Sequence, residues 1–187
     1  MRIIGGQGKG RKLKSPKGGA TRPTGDRVKQ TLFDILAPRI SGARFLDVCA
    51  GAGGIGLEAL SRGASRVVLV DSDRDAVAAI QENLKALGSA REAQVFRQDA
   101  RVALAALADT GVRFDIAYLD PPYDSPLYEE LLEQVGRTHL LQPSGLVVAE
   151  HFHKRLLPET IGGLLRAREV RIGDHRLSFY QPEKMET

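Results

Sequence analysis

Asp120-Pro121-Pro122-Tyr123 closes an apolar run, Phe114 to Leu119. Two prolines fix the backbone and remove two N–H donors, so the turn presents carbonyl and carboxylate oxygens without competing donors. The partner that matches is an exocyclic amino group on a nucleobase. Such a nitrogen has its lone pair delocalised into the ring and is a poor nucleophile. Two acceptors holding its hydrogens pull it toward tetrahedral geometry and aim the lone pair at a methyl donor. Tyr123 offers a ring to stack on an extruded base. The plainer alternative is a rigid loop between strand and helix, with Tyr123 packed locally.

A second cluster lies upstream. Gly51-Ala52-Gly53-Gly54-Ile55-Gly56 fits G-x-G-x-x-G between an apolar strand and a helix, the context that motif requires. Taken alone it fits a dinucleotide, another adenosine cofactor, or a tight turn with no ligand. Asp47, on the strand before the loop, is poor company for a pyrophosphate, because like charges repel. It suits a cationic ligand instead, and S-adenosylmethionine carries a sulfonium and an ammonium and no phosphate. Asp71 ends the next strand, where a carboxylate accepts from ribose hydroxyls. Asp99 ends the third and is placed to accept from the adenine amino group. The expected cofactor residues are Asp47, Ala50, Gly51, Gly53, Gly56, Asp71, Asp99 and Ala100. Asp71 and Asp99 also read as helix N-caps, a role that does not exclude binding.

These clusters need a scaffold, and the pattern supplies one. From Ala43 onward short apolar strands alternate with helices: strands at Phe45 to Cys49, Val67 to Val70, Ala93 to Arg97, Phe114 to Leu119 and Leu146 to Glu150. Helices are expected at Asp26 to Leu36, ended by Pro38, then at Gly54 to Arg62, Asp73 to Leu87, Arg101 to Ala108, Leu127 to Val135 and around Arg155 to Leu165. Two last strands, Arg168 to Ile172 and Arg176 to Tyr180, flank Gly173-Asp174. This order implies an α/β fold, a doubly wound parallel sheet in which only the last pair is antiparallel. The first residues read as a small β-hairpin. Residues 1–25 are expected to form a basic arm and loop, and residues 26–187 the catalytic domain.

With 187 residues, 42% hydrophobic and 27% charged, the composition is that of an ordinary globular domain. There is no apolar run of membrane-spanning length and no apolar leader at the N-terminus. Cys49 is the single cysteine, so a reducing cytoplasm is the simplest location. The net charge of +4 is unevenly spread: residues 1–29 carry nine basic side chains against Asp26 alone, leaving the rest acidic. A basic arm on an acidic body points to a polyanionic partner, with a solvated tail as the alternative.

Arg22-Pro23-Thr24 with Asp26-Arg27-Val28-Lys29 and Leu32-Phe33, Gly8 to Leu13, Asp47 to Glu58 and Asp120 to Tyr123 together carry a resemblance over nearly the whole chain. The sequence resembles the bacterial 16S ribosomal RNA guanine-N2 methyltransferase D family, Rossmann-type S-adenosylmethionine-dependent enzymes. The resemblance implies a mostly parallel, seven-stranded sheet with one antiparallel strand, and Asp120, Pro121, Pro122 and Tyr123 as catalytic residues. It implies methylation of one guanine in 16S rRNA, on an assembled or partly assembled small subunit, by a monomer. Lys9, Arg11, Lys12, Arg22 and Arg27 are then the expected RNA contacts. Cys49 and Ala52 stand where Phe and Ser are expected, and Asp71 and Gln30 where Glu is common. The same tetrapeptide occurs in adenine-N6 DNA methyltransferases, but this chain has no room for their larger recognition region.

Other residues attract plainer readings. His151 and His153 read as surface residues and no metal is expected. Tyr128 reads as helix packing, with shaping of a base pocket beside Tyr123 as the alternative, and Glu150 as a strand-end residue, with a place facing the active cleft as the alternative. Two competing functions stay open: a nucleotide-dependent oxidoreductase, which gives the Asp120 turn no role, and a non-catalytic RNA-binding module.

Overall fold

The computed structural model describes residues 1–16, 25–122 and 125–183. Arg22 and Tyr123 lie outside the described residues. The chain divides into two compact units, Met1–Ala100 and Arg101–Thr187.

The first unit holds α1 (Asp26–Ile40), β1 (Arg44–Val48), α2 (Gly56–Ser61), β2 (Arg66–Asp71), α3 (Arg74–Leu87) and β3 (Ala93–Arg97). Its strands lie in the order β3-β2-β1, all parallel. Phe45 to Val48 and Val67 to Val70 are buried at consecutive positions, as expected of strands covered on both faces. α3 starts where the Asp73 side chain accepts the Ala76 N–H at 2.7 Å, and it stops at Gly88, whose φ of +74° suits the left-handed cap. α1 runs four residues past the expected end, through Pro38. Ile40 is buried with Leu36, and that burial outweighs the one hydrogen bond proline removes so near the terminus.

α4 (Ala100–Asp109) leads into the second unit, with β4 (Phe114–Leu119), α5 (Leu127–Arg137), β5 (Leu141–Phe152), β6 (Thr160–Ile161), β7 (Leu164–Ile172) and β8 (His175–Pro182). The strand order is β4-β5-β8-β7-β6. β4 and β5 are parallel, while β8, β7 and β6 build an antiparallel edge. The plan is α/β and mostly parallel, as the pattern implies, with an antiparallel edge that joins β5, β8, β7 and β6 by three antiparallel pairings where only the last pair is expected. β6 makes eight strands among the described residues, against the seven expected.

The helix expected around Arg155 to Leu165 is absent. Gly162 and Gly163 have φ of +58° and +82° and join Ile161 to Leu164 as a two-residue hairpin turn. Two adjacent glycines in left-handed geometry favour that turn and disfavour a helix. The small β-hairpin expected at the N-terminus is not confirmed: no strand precedes α1 among the described residues, and a single antiparallel bridge pairs Arg2 with Lys12.

Candidate functional site

In the first unit the chain leaves β1 through residues 49–55. The Ala50 N–H donates to the Val70 carbonyl at 3.0 Å, and the Gly53 N–H to the Ala50 carbonyl at 2.8 Å. Gly51 and Gly53 take φ of +55° and +78°, and Cys49 shares this left-handed region at +62°, where a side chain costs on the order of 1–2 kcal/mol.

Two carboxylates hold the turn. Asp71 Oδ2 accepts the Gly51 N–H at 2.7 Å, and its Oδ1 accepts the Asp73 N–H at 2.9 Å. Asp47 Oδ2 accepts the Gly56 N–H at 2.7 Å, in the first turn of α2. Ile55, at the N-cap position of α2, offers no capping side chain, so Asp47 caps the helix from the strand. A Cβ at Gly56 would lie 3.0 Å from that same oxygen and nearer still to Leu69. The cap of α3 is Asp73, so Asp71 is not the N-cap considered for it.

Asp47 is 1% exposed. Burial pushes its carboxyl up to about 7; the Gly56 N–H opposes the rise and the charge of Asp71 adds to it. Asp71 is half-buried and also raised, chiefly by burial, against the N–H groups of Asp73 and Gly51. Asp99 is half-buried just before α4, and Ala100 is buried. A pair of acids that the fold holds short of full charge compensation fits a cation and not a phosphate.

The N-terminal segment is docked rather than free. Ile3 and Leu13 are buried. The Ile4 N–H donates to Glu58 Oε2 at 2.8 Å, the Gly8 N–H to Ser61 Oγ at 2.9 Å, and the Gln7 N–H to the Ser61 carbonyl at 2.8 Å. Glu58 is fully buried and also meets Lys29 Nζ at 3.3 Å and Arg62 Nε at 2.8 Å. Lys29, 1% exposed, further donates to the Arg2 carbonyl. The basic count of residues 1–29 thus contains side chains already engaged: Arg2 with Asp26, Lys14 with Glu82, Lys29 with Glu58, and Arg11 with the Ala86 carbonyl at 2.7 Å. Lys9, Arg11, Lys12 and Arg27 are all exposed.

In the second unit, buried β4 delivers the tetrapeptide. Asp120 is half-buried, Pro121 buried and Pro122 exposed. The Pro121 carbonyl accepts the Tyr128 hydroxyl at 2.9 Å, and the Pro122 carbonyl accepts the Ser125 N–H at 2.9 Å. Tyr128 is 1% exposed, and the Arg155 guanidinium lies 4.5 Å over its ring. The sequence reads Tyr128 as helix packing near enough to Tyr123 to help shape a base pocket; its hydroxyl fixes a backbone oxygen of the turn. Its position early in an amphipathic helix, five residues after Tyr123, is the clue the sequence offers.

Glu150 is buried, accepts the Tyr118 hydroxyl and meets His175 Nδ1 at 2.7 Å. The surface reading of His151 is overturned: it is fully buried, with Nε2 2.9 Å from Ser178 Oγ, and burial lowers its pKa. The strand extends further than expected, to Phe152, and turns His151 inward. Among the described residues no three His, Cys, Asp or Glu side chains gather as a metal site, and no helix is long and apolar enough to cross a membrane.

Residues 1–181 match the family model described as Conserved hypothetical protein 95. Ribosomal RNA small subunit methyltransferase D of Escherichia coli (strain K12) is 38% identical over 183 residues, covering 98% of this chain and 90% of the relative. The chain belongs to the ribosomal RNA small subunit methyltransferase D family. The solved structure of a hypothetical protein from Thermus thermophilus is 33% identical, with a TM-score of 0.84 over 97% of this chain and 99% of that one. SMU.776, solved in complex with SAH, shares the fold at 13% identity and a TM-score of 0.61, over 81% of this chain and 48% of that one. The match to the family model starts at residue 1 and so includes the N-terminal segment.

Proposed function

We propose that the protein transfers a methyl group from S-adenosylmethionine to the exocyclic N2 of a guanine in 16S ribosomal RNA of the small subunit. The observation that carries this reading is the turn at the end of β4, where Asp120 and the Pro121 carbonyl follow a buried strand and two successive residues lack an N–H. Membership of the methyltransferase D family supports it, as does the acid-lined glycine turn. Asp71 would hold the ribose and Asp99 the adenine, with Gly51, Gly53 and Gly56 allowing close approach beside Ala50 and Ala100. Asp47 would supply negative charge to a cationic cofactor. When bound, that cofactor provides an electrophilic methyl on a positively charged sulfur.

The chain's own task is then positioning. Asp120 accepts one hydrogen of the guanine amino group. The Pro121 carbonyl accepts the other, since one of its two lone pairs serves the Tyr128 hydroxyl and one remains. Together they align the nitrogen lone pair, and Tyr123 stacks on the base. No covalent enzyme intermediate is needed. Asp120 need not be a strong base, because the amine becomes acidic only as the new N–C bond forms and solvent then takes the proton. Lys9, Arg11, Lys12, Arg22 and Arg27 would meet phosphates around the target.

The test is single-turnover transfer of tritiated methyl to small subunits lacking the modification, followed by digestion to nucleosides. The expected product is N2-methylguanosine. Asp120→Ala should slow transfer on the order of 100-fold with S-adenosylhomocysteine affinity unchanged, and Tyr128→Phe should slow it less. A wild-type rate in Asp120→Ala excludes this turn as the catalytic site. Label in N6-methyladenine points to the other amino-methyl chemistry, and RNA binding without transfer to a non-catalytic module.

A further inference from the structure

The α3 face that packs inward is apolar at Ala76, Ile80 and Leu84, yet Asn83 sits among them at 2% exposure. Its amide reaches two places. Its Oδ1 accepts the Lys14 N–H at 2.8 Å, and its Nδ2 donates to the Lys14 carbonyl at 3.0 Å. The same Nδ2 donates to the Ala52 carbonyl at 3.3 Å. Ala52 lies between Gly51 and Gly53, so its carbonyl direction fixes the peptide plane from which the Gly53 N–H projects. A buried amide with both ends engaged costs little to keep and much to disturb.

Two further contacts join the same parts. A side chain at Gly54 would collide with Met1, so the start of the chain lies directly against the glycine turn. Glu58, in the helix whose first turn Asp47 caps, takes the Ile4 N–H. The docked segment 1–16 therefore touches the turn itself, the helix after it and the helix after that.

We propose that Asn83 is a positioning residue for the cofactor turn, and that through it the N-terminal segment sets cofactor affinity. This rests on the reading of the glycine turn as the S-adenosylmethionine site. The segment is then more than an arm for RNA: the stretch that bears its exposed lysines also braces the cofactor turn. Linkage makes the effect reciprocal, so a ligand that displaces the segment weakens cofactor binding, and one that seats it strengthens cofactor binding.

Two substitutions probe the link from opposite sides. Asn83→Asp keeps the oxygen that accepts the Lys14 N–H and removes the donor to the Ala52 and Lys14 carbonyls. Lys14→Pro removes the N–H and leaves α3 and the turn intact. Lys14→Ala, which deletes only the ion pair with Glu82, is the control. S-adenosylhomocysteine binding is measured by calorimetry on the full chain, and KM for S-adenosylmethionine and kcat on small subunits. The expected result is a Kd raised about 3- to 10-fold in Asn83→Asp and Lys14→Pro, the loss of one or two neutral hydrogen bonds. KM for the cofactor should rise in step with kcat little changed, and Lys14→Ala should match wild type. Folded variants with wild-type Kd and only a lower melting temperature overturn the proposal. If Asn83→Asp does not fold, Lys14→Pro decides alone. A wild-type chain that binds no S-adenosylhomocysteine overturns the cofactor reading, and this inference with it.

Discussion

Asp47 has the most constrained chemistry in the molecule, being a carboxyl group with almost no access to water, held by the Gly56 N–H. Its pKa, pushed up to about 7, lies above its value in an unfolded chain, so the folded protein binds the extra proton between about pH 4 and about 7. Over that interval Asp47 makes stability decline as pH rises. Asp47→Asn should remove that part of the slope, as urea unfolding at a series of pH values will read. A cationic ligand beside Asp47 favours the ionised form. Binding of S-adenosylmethionine near pH 7 should therefore release protons, measurable as heats that differ between buffers of unlike ionisation enthalpy. Unchanged release in Asp47→Asn would show that another group titrates. The acid is legible in the sequence as an outlier in an apolar strand. Its bond to Gly56 is not, because the geometry of a seven-residue turn decides which N–H it reaches.

The element scale is legible wherever one periodicity rules. β1, β2, β4 and the capped helix α3 follow from apolar runs, an Asp cap and a glycine stop. The expectation fails at residues 155–165, where aliphatic residues at helical spacing stand beside Gly162-Gly163 and turn chemistry prevails. The N-terminal segment escapes sequence reading for a different reason: its charges look alike in sequence, and only tertiary contact separates Lys29, sealed against Glu58, from exposed Lys9 and Lys12. Glu58 gathers the segment, α1 and α2 onto one carboxylate. Glu58→Ala leaves Lys29 buried without its partner and should cost about 3–5 kcal/mol. A Lys29→Met, Glu58→Leu double variant should lose less than the two single losses combined, since no lone charge is left inside. Denaturant unfolding of the four chains completes the cycle.

For the whole molecule, the exposed cations divide into those already paired and those open to an anionic partner. RNA binding should weaken linearly in log–log terms as salt rises, each phosphate contact contributing slightly less than one to the slope. Replacing Lys9 and Lys12 together by alanine should reduce the slope by about 1–2, while Lys14→Ala, whose charge is engaged by Glu82, should change it less. Filter binding to a small-subunit rRNA fragment over a salt series reads both, and equal slopes would leave the segment without a role in RNA capture. The docking of that segment also bears on the order in which the chain acquires its structure. Ile4 finds its acceptor 54 positions later, at Glu58, and Lys14 finds its own 69 positions later, at Asn83. Closing such long loops is slow compared with forming a helix or pairing neighbouring strands. During synthesis from the N-terminal side, the Ile4 and Lys14 N–H groups wait for these acceptors until Glu58 and Asn83 have emerged, so this segment is made early and secured late.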